Sequence, residues 1–263
     1  MTVRKVVARK GAALRMAEVL VKPTTRGLAR RVDIDGEKIP ATGGCIIVAN
    51  HVTKIDPLIL AHMIYDHGRI PRFLAKEALF DLPLLGRIVR GTGQIPVPRM
   101  TGDAKGAYDA AVRALHSGEV IVFYPEGTIT RDPDLWPMRG KTGAARLALE
   151  SGAPVIPVSH WGDQEVLPAY SSRLHLFPRK TVTLKVGDPV DLADLLEGEI
   201  SAAKISVATN RIMAALTSLL EDLRDEKAPA ERFDPKAAGI AEIGNPNKKS
   251  TGKTKKNDKK GKA

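Results

Sequence analysis

The 263-residue chain predicts an α/β fold, a mixed and mainly parallel sheet flanked by helices, on three observations. Short β-branched runs alternate with stretches of helical periodicity, which is how a layered α/β sheet is built. The strongest runs, Cys45–Ala49 and Val120–Tyr124, lack polar alternation, as strands covered on both faces do. Apolar residues form 43% of the chain, enough to bury a core and to exclude wholesale disorder. One cysteine, Cys45, excludes a disulfide framework and a cysteine-built zinc site. No apolar run approaches the roughly 18 residues of a spanning helix, and no apolar leader segment is visible, so neither is expected.

Residues 1–31 carry Val3, Val7, Leu14, Ala17 and Val21 at helical spacing, with nine Lys or Arg against one acid, Glu18. That is an N-terminal basic amphipathic helix, expected to stop near Pro23. Such a helix either lies on an anionic membrane surface or packs on the domain with a solvated basic face. Arg31–Pro40 alternates and turns at Asp35-Gly36, as an edge strand does. Cys45–Ala49 is a buried strand, Pro57–Tyr65 a helix and Ile70–Leu74 a strand. Ala104–His116 is a helix closed by Ser117-Gly118, and Val120–Tyr124 is the clearest buried strand. Gly143–Ser151 is a helix ended by Gly152, Val155–Ser159 and Thr181–Val186 are strands, and Ser201–Arg224 is a long helix. Residues 32–227 therefore form the folded domain. Residues 228–263 are expected to be a Lys-rich disordered tail, since its last twenty residues hold almost no apolar group. The net charge of +11 sits at the two ends, on a slightly acidic body. A polyanionic partner is expected there. The tail has no aromatic residue in its last twenty for base stacking, so no specific nucleic acid is expected.

Chemistry is expected on the loops after buried strands. The first reads Asn50-His51-Val52-Thr53-Lys54-Ile55-Asp56-Pro57. Five residues on a regular helix would put His51 and Asp56 about 140° apart, so they meet only if the chain turns between them. Asp56-Pro57 supplies a helix start, with Asp56 as N-cap and Pro57 at the first helical position. The carboxylate can then hold one imidazole nitrogen and leave the other as a base. The plainer alternative is a cap beside an unconnected loop histidine. The second loop is Tyr124-Pro125-Glu126-Gly127-Thr128, where Gly127 permits close backbone approach and the amides can cradle an anion, or Glu126 is merely solvated. Gly93–Arg99 is an extended segment ending in a cation. Gly140-Lys141-Thr142 lacks the first glycine of a phosphate-binding loop, where Leu135 stands, and leaves Lys141 as either a phosphate cation or a solvated side chain. His160 and Glu165 repeat the five-residue spacing without a helix-start signal, and His160 reads as structural. No metal-ligand spacing accompanies His62 or His67.

The order Asn-His-x4-Asp-Pro, Gly-x-Ile-x-x-x-Arg, Pro-Glu-Gly-Thr and Val-Ile-Pro-Val resembles the glycerolipid acyltransferase family, and within it the bacterial PlsC-like 1-acylglycerol-3-phosphate (lysophosphatidate) acyltransferases. The likeness runs from about Asp33 to Val186. It implies acyl transfer from an acyl thioester, acyl-CoA or acyl carrier protein, to a glycerolipid hydroxyl, with no other cofactor and no metal. It implies His51 as general base oriented by Asp56. Arg99, Glu126, Gly127 and Thr128 would handle the acceptor's glycerol phosphate, with Lys76 as a further phosphate cation. Ile129 and Thr130 replace the family's common arginine and serine, so the next cation, Arg131, is the candidate for that role. The expected partners are a lysophospholipid acceptor, acyl-CoA and an anionic membrane, with the protein peripheral at the cytoplasmic face. An acceptor of another kind, a glycolipid or an sn-1 hydroxyl, and a non-catalytic binding module are the alternatives.

Overall fold

The computed structural model describes Arg4, Val6, and residues 11–97 and 104–241. Val3 and Val7 of the expected N-terminal helix, Arg99 and residues 242–263 lie outside the described residues. The strands are β1 (Ala29–Ile34), β2 (Cys45–Ala49), β3 (Pro71–Lys76), β4 (Ile95–Val97), β5 (Val120–Phe123), β6 (Val155–Trp161) and β7 (Lys180–Val186). The helices are α1 (Ala12–Leu28), α2 (Asp56–Asp66), α3 (Leu85–Gly91), α4 (Ala104–His116), α5 (Gly143–Ser151), α6 (Asp163–Val166), α7 (Ala193–Leu196) and α8 (Ala202–Arg224).

The strands form one seven-stranded sheet in the order β1-β7-β6-β2-β5-β3-β4. Pairing is parallel except between β6 and β7. The strands β6, β2, β5, β3 and β4 thus share one direction, and their C-terminal ends share one edge of the sheet. Strand alternation splits the core in two. Ile46, Val48 and Ile121 pack toward α4, α5 and α8, whereas Cys45, Ile47 and Ala49 pack toward α2. Every residue of β2 is fully buried, as its unbroken apolar run requires. Burying each large aliphatic side chain contributes about 1.5–3 kcal/mol, so this strand anchors the sheet centre.

Three expectations need correction. The N-terminal helix does not stop near Pro23, which lies inside α1. An interior proline costs a helix about 3 kcal/mol. Bonds on both sides of it offset that cost. The Thr24 hydroxyl donates to the Leu20 carbonyl at 2.7 Å, and Lys22 pairs with Glu18 at 3.2 Å and Asp66 at 3.3 Å. The Thr25 hydroxyl lies 2.6 Å from His62 Nδ1, fastening the helix to α2. Leu14, Ala17 and Val21 are accordingly half-buried, and Met16, Val19 and Leu20 are the apolar residues turned outward. Second, residues 228–241 run back over the domain instead of starting a tail. The Arg139 amide donates to the Phe233 carbonyl at 3.0 Å, and the Ala228 amide to Glu221 at 2.9 Å. Third, Asp56 is the first residue of α2 and not its N-cap, a position held by Ile55. Among the described residues, no helix is long and apolar enough to cross a membrane.

Candidate active site

The common C-terminal edge of the parallel strands gathers the loops with polar signatures. β2 delivers Asn50 and His51, β5 delivers Tyr124 to Thr128, β3 ends at Lys76 and β6 carries His160 near its end. β2 lies between β5 and β6, so its loop is flanked by both.

His51 and Asp56 do meet. His51 Nδ1 lies 2.9 Å from Asp56 Oδ2. The same oxygen accepts from the amides of Val52 at 2.7 Å and Thr53 at 2.8 Å, and Asp56 Oδ1 accepts from the Thr53 hydroxyl. The aspartate thus caps the loop behind it. Its carboxyl is held below the ordinary aspartate value: burial opposes ionisation, but the charge of His160 and the bonds from His51 and Thr53 outweigh it. An ionised Asp56 fixes the proton of His51 on Nδ1, leaving the Nε2 lone pair free to act as a base. The His51 side chain is 17% exposed and that of Asp56 is 0% exposed, so the base meets solvent while its partner does not. Tyr124 stacks on the imidazole, with ring centroids 4.3 Å apart.

The loop after β5 clamps the backbone of His51. The His51 amide donates to Glu126 Oε1 at 3.0 Å, and the Thr130 amide donates to the His51 carbonyl at 2.7 Å. Glu126 Oε2 accepts from the Met138 amide at 3.1 Å. Glu126 is therefore buried and directed onto the backbone, not solvated. Burial pushes its carboxyl up to about 8, against the amide bonds from Met138 and His51. Gly127 has φ +72°, in the left-handed region that favours glycine. A β-carbon there would meet Lys141 Nζ at 3.2 Å. The Lys141 amide also donates to the Pro125 carbonyl at 2.7 Å. The structure thus brings Lys141 to the loop of Glu126, Gly127 and Thr128. Arg131 is nearly buried, its guanidinium 4.7 Å above the Tyr170 ring. Lys76 lies at the same sheet edge, with β5 between its strand and β2. Burial raises the Cys45 thiol to about 11, a poor setting for a nucleophile.

Sequence reasoning missed the partner of His160. Its ring pairs with Asp163, Nδ1 to Oδ2 at 2.7 Å, and not with Glu165, and the short helix α6 does follow it. Nε2 lies 2.7 Å from the Asn50 carbonyl. Asn50 Oδ1 in turn accepts from the His160 amide at 2.9 Å, and Asn50 Nδ2 donates to the His160 carbonyl at 3.0 Å. The available signal was that His160 closes the run Val155–Ser159 much as His51 closes the run Cys45–Ala49. Ligand atoms of Asp56, His160 and Asp163 lie within 4.8 Å of one another. The set does not suit a metal ion, because both His160 nitrogens are directed at oxygen acceptors and no lone pair is left to coordinate.

The residue pattern of the family described as Acyltransferase matches residues 31–161, which hold His51, Asp56 and the Glu126 loop. The chain is 30% identical over 146 residues to a chloroplastic 1-acyl-sn-glycerol-3-phosphate acyltransferase of Brassica napus, covering 54% of this chain and 40% of that protein. It is 32% identical over 124 residues to a 1-acyl-sn-glycerol-3-phosphate acyltransferase of Borreliella burgdorferi, covering 47% of this chain and 48% of that one. These matches span less than half the length of those relatives. The crystal structure of PlsC, the 1-acyl-sn-glycerophosphate acyltransferase of Thermotoga maritima, superposes with a TM-score of 0.62 at 25% identity, covering 82% of this chain and 81% of that one. A parallel sheet edge that presents a histidine–aspartate pair against a Pro-Glu-Gly-Thr loop, in a chain with these likenesses, places the protein in the glycerolipid acyltransferase family, among its PlsC-like members.

Proposed function

We propose that the protein transfers a fatty acyl group from an acyl thioester, acyl-CoA or acyl carrier protein, to the free hydroxyl of lysophosphatidate, giving phosphatidate. The observation that carries this reading is His51 held by Asp56 at 2.9 Å beside a loop that presents Gly127, Thr128 and Lys141. His51 Nε2 takes the proton of the acceptor hydroxyl as the oxygen attacks the thioester carbonyl. The new C–O bond forms, the C–S bond breaks, and the proton passes from His51 to the departing thiolate. No residue is acylated, and Asp56 stabilises the imidazolium that exists between the two proton transfers. The acceptor phosphate is bound by Lys141 and the Gly127–Thr128 backbone, with Lys76, Arg131 and Arg99 as further cations. Glu126 supports this surface from below by holding the amides of His51 and Met138.

The substrates are lipids, so the protein works at an anionic membrane, as a peripheral protein of the cytoplasmic face. Met16, Val19 and Leu20 on the outer face of α1 enter the headgroup layer, with Arg15 and Arg26 on the same exposed side. A second reading is favoured by Ile129, which is nearly buried where the family commonly carries an arginine: an acceptor without a phosphate monoester, such as a glycolipid.

The deciding experiment offers labelled acyl-CoA, and in parallel labelled acyl carrier protein, with lysophosphatidate, its sn-2-acyl isomer, other lysophospholipids and glycolipids, to the full chain in vesicles. Highest kcat/KM on lysophosphatidate is expected. Preference for an uncharged acceptor would move the assignment to the second reading, and no transfer to any acceptor from either thioester donor would overturn both.

A further inference from the structure

His160 is 1% exposed and sits on the face of β6 turned away from α8. Its neighbours Ser159 and Trp161 point the other way, and the Ser159 hydroxyl bonds the Leu216 carbonyl of α8 at 2.7 Å. Nε2 of the buried ring meets the Asn50 carbonyl, which can only accept, and Nδ1 meets the Asp163 carboxyl, which only accepts when ionised and whose value burial raises. A neutral imidazole has one N–H, which the Asn50 carbonyl takes, so with Asp163 ionised the ring is an imidazolium, and with the shared proton on Asp163 it is neutral. Asp56 Oδ2 lies 3.8 Å from Nε2, close enough for charge and too far for a hydrogen bond. The Asn50–His51 peptide is thereby held at both ends. Its carbonyl accepts from His160, and its N–H donates to Glu126.

We propose that His160 is a positioning residue: a buried cation that clamps the peptide carrying His51 and places positive charge behind Asp56. The inference rests on the acyltransferase reading for its kinetic consequence alone. His160 touches no substrate and acts through Asn50 and Asp56. Asp163 is its counterion, and a buried cation without one would deprotonate. The charged and titratable groups around the ring are Asp163 on its own segment, Asp56 with His51 beyond it on the loop after β2, and Tyr124 after β5, whose phenol is raised by burial and by the Asp56 and Asp163 charges. Arg224 of α8 stacks on Trp161, on the opposite face of β6. Burial alone would lower the value of His160, but the Asp163 and Asp56 carboxylates raise it to about 9. Its proton therefore stays bound through neutral pH.

Two measurements test this. Nitrogen-15 NMR of histidine-labelled full chain reads the ring directly and needs no turnover. His160 should show two protonated nitrogens at pH 7.5, and a neutral ring there overturns the proposal even if the functional reading holds. Kinetics of Asp163→Asn and His160→Gln, which keeps one N–H donor without the charge, read the consequence. We expect kcat to fall about 10–100-fold at pH 8 with acceptor KM changed less than about twofold. In Asp163→Asn the alkaline limb of kcat should move to lower pH by about one unit or more, with recovery at pH 6. Variants that fold, by circular dichroism, yet keep the wild-type kcat and pH profile overturn the positioning role. A wild-type chain inactive on every acceptor sinks the acyltransferase reading and leaves the NMR arm to decide the clamp.

Discussion

Asp56 remains ionised where burial alone would protonate it, because His51, His160, Thr53 and the amides of Val52 and Thr53 converge on its two oxygens. The pair His51–Asp56 was one of two readings of the loop before the Asp-Pro helix start, and only the order of the four motifs, with the family it resembles, favoured it over a plain cap. Its clamps were not legible, because they come from residues 75 to 110 positions away. His51→Ala should abolish turnover with the fold retained. Asp56→Asn should lower kcat on the order of 10³-fold or more, because the amide no longer fixes the proton on Nδ1. Near-wild-type turnover in clean His51→Ala preparations would refute the mechanism. Glu126 carries a pH signature. Its folded value of about 8 lies above the ordinary 4.5, so the native state keeps a proton that the unfolded chain has already released. The stability this adds is present below about pH 4.5 and is lost as pH rises through 8. Thermal melts of wild type and Glu126→Gln across pH 4–9 should show a decline with pH that is steeper in the wild type. Parallel melting curves would mean that Glu126 does not titrate there.

At the scale of the element, the sequence located β2, α4 and α5 to the residue, because each has a pure pattern and a clean stop. Gly152, for example, ends α5 at φ +66°. The failures are where tertiary contacts override local signals. Pro23 reads as a stop, yet the ion pairs and threonine bonds of α1 carry the helix on to Leu28. The short α3 and the C-terminal stretch 228–241 have weak patterns and take their form from what they pack on. This packing changes how a membrane anchor should be tested. Deleting residues 1–22 would remove Glu18 and Lys22, which join Tyr65 and Asp66 of α2, and so would disturb the domain. Substitutions on the outer face avoid that. Val19→Glu with Leu20→Glu should reduce sedimentation with anionic vesicles at least tenfold, and leave the melting temperature and detergent-dispersed activity close to wild type. Undiminished sedimentation would exclude α1 as the anchor.

Over the whole molecule, the sheet's direction decides where chemistry can occur. Five strands of one sense place the ends of β2, β5 and β6 side by side, and three loops distant in sequence become one surface. The alternation of strand and helix made a mainly parallel sheet legible. The reversal at β7 was not, since nothing in a strand's own residues states which way its neighbour runs. The same arrangement predicts a gradient of stability. Amides of Ile46–Ala49 and Val120–Val122 lie in the fully buried centre and should exchange with solvent slowest, near the global unfolding limit. The short β4 at the sheet's margin should exchange orders of magnitude faster. Hydrogen exchange by mass spectrometry checks this, and equal protection across the sheet would contradict it.

The join between α1 and β1 has a mechanical meaning. The helix ends at Leu28 and the strand begins at Ala29, with no residue between them and the Ala29 amide still bonded to the Thr25 carbonyl. A rod fused to a plate in this way cannot swivel. If α1 rests flat on a bilayer, the plane of the sheet is set at a single tilt, and the mouth above His51 keeps one compass bearing toward the lipid. Polarised infrared spectra of protein on oriented bilayers should then give one fixed pair of amide dichroic ratios, and two glycines inserted between Leu28 and Ala29 should blur the sheet signal while leaving that of the helix.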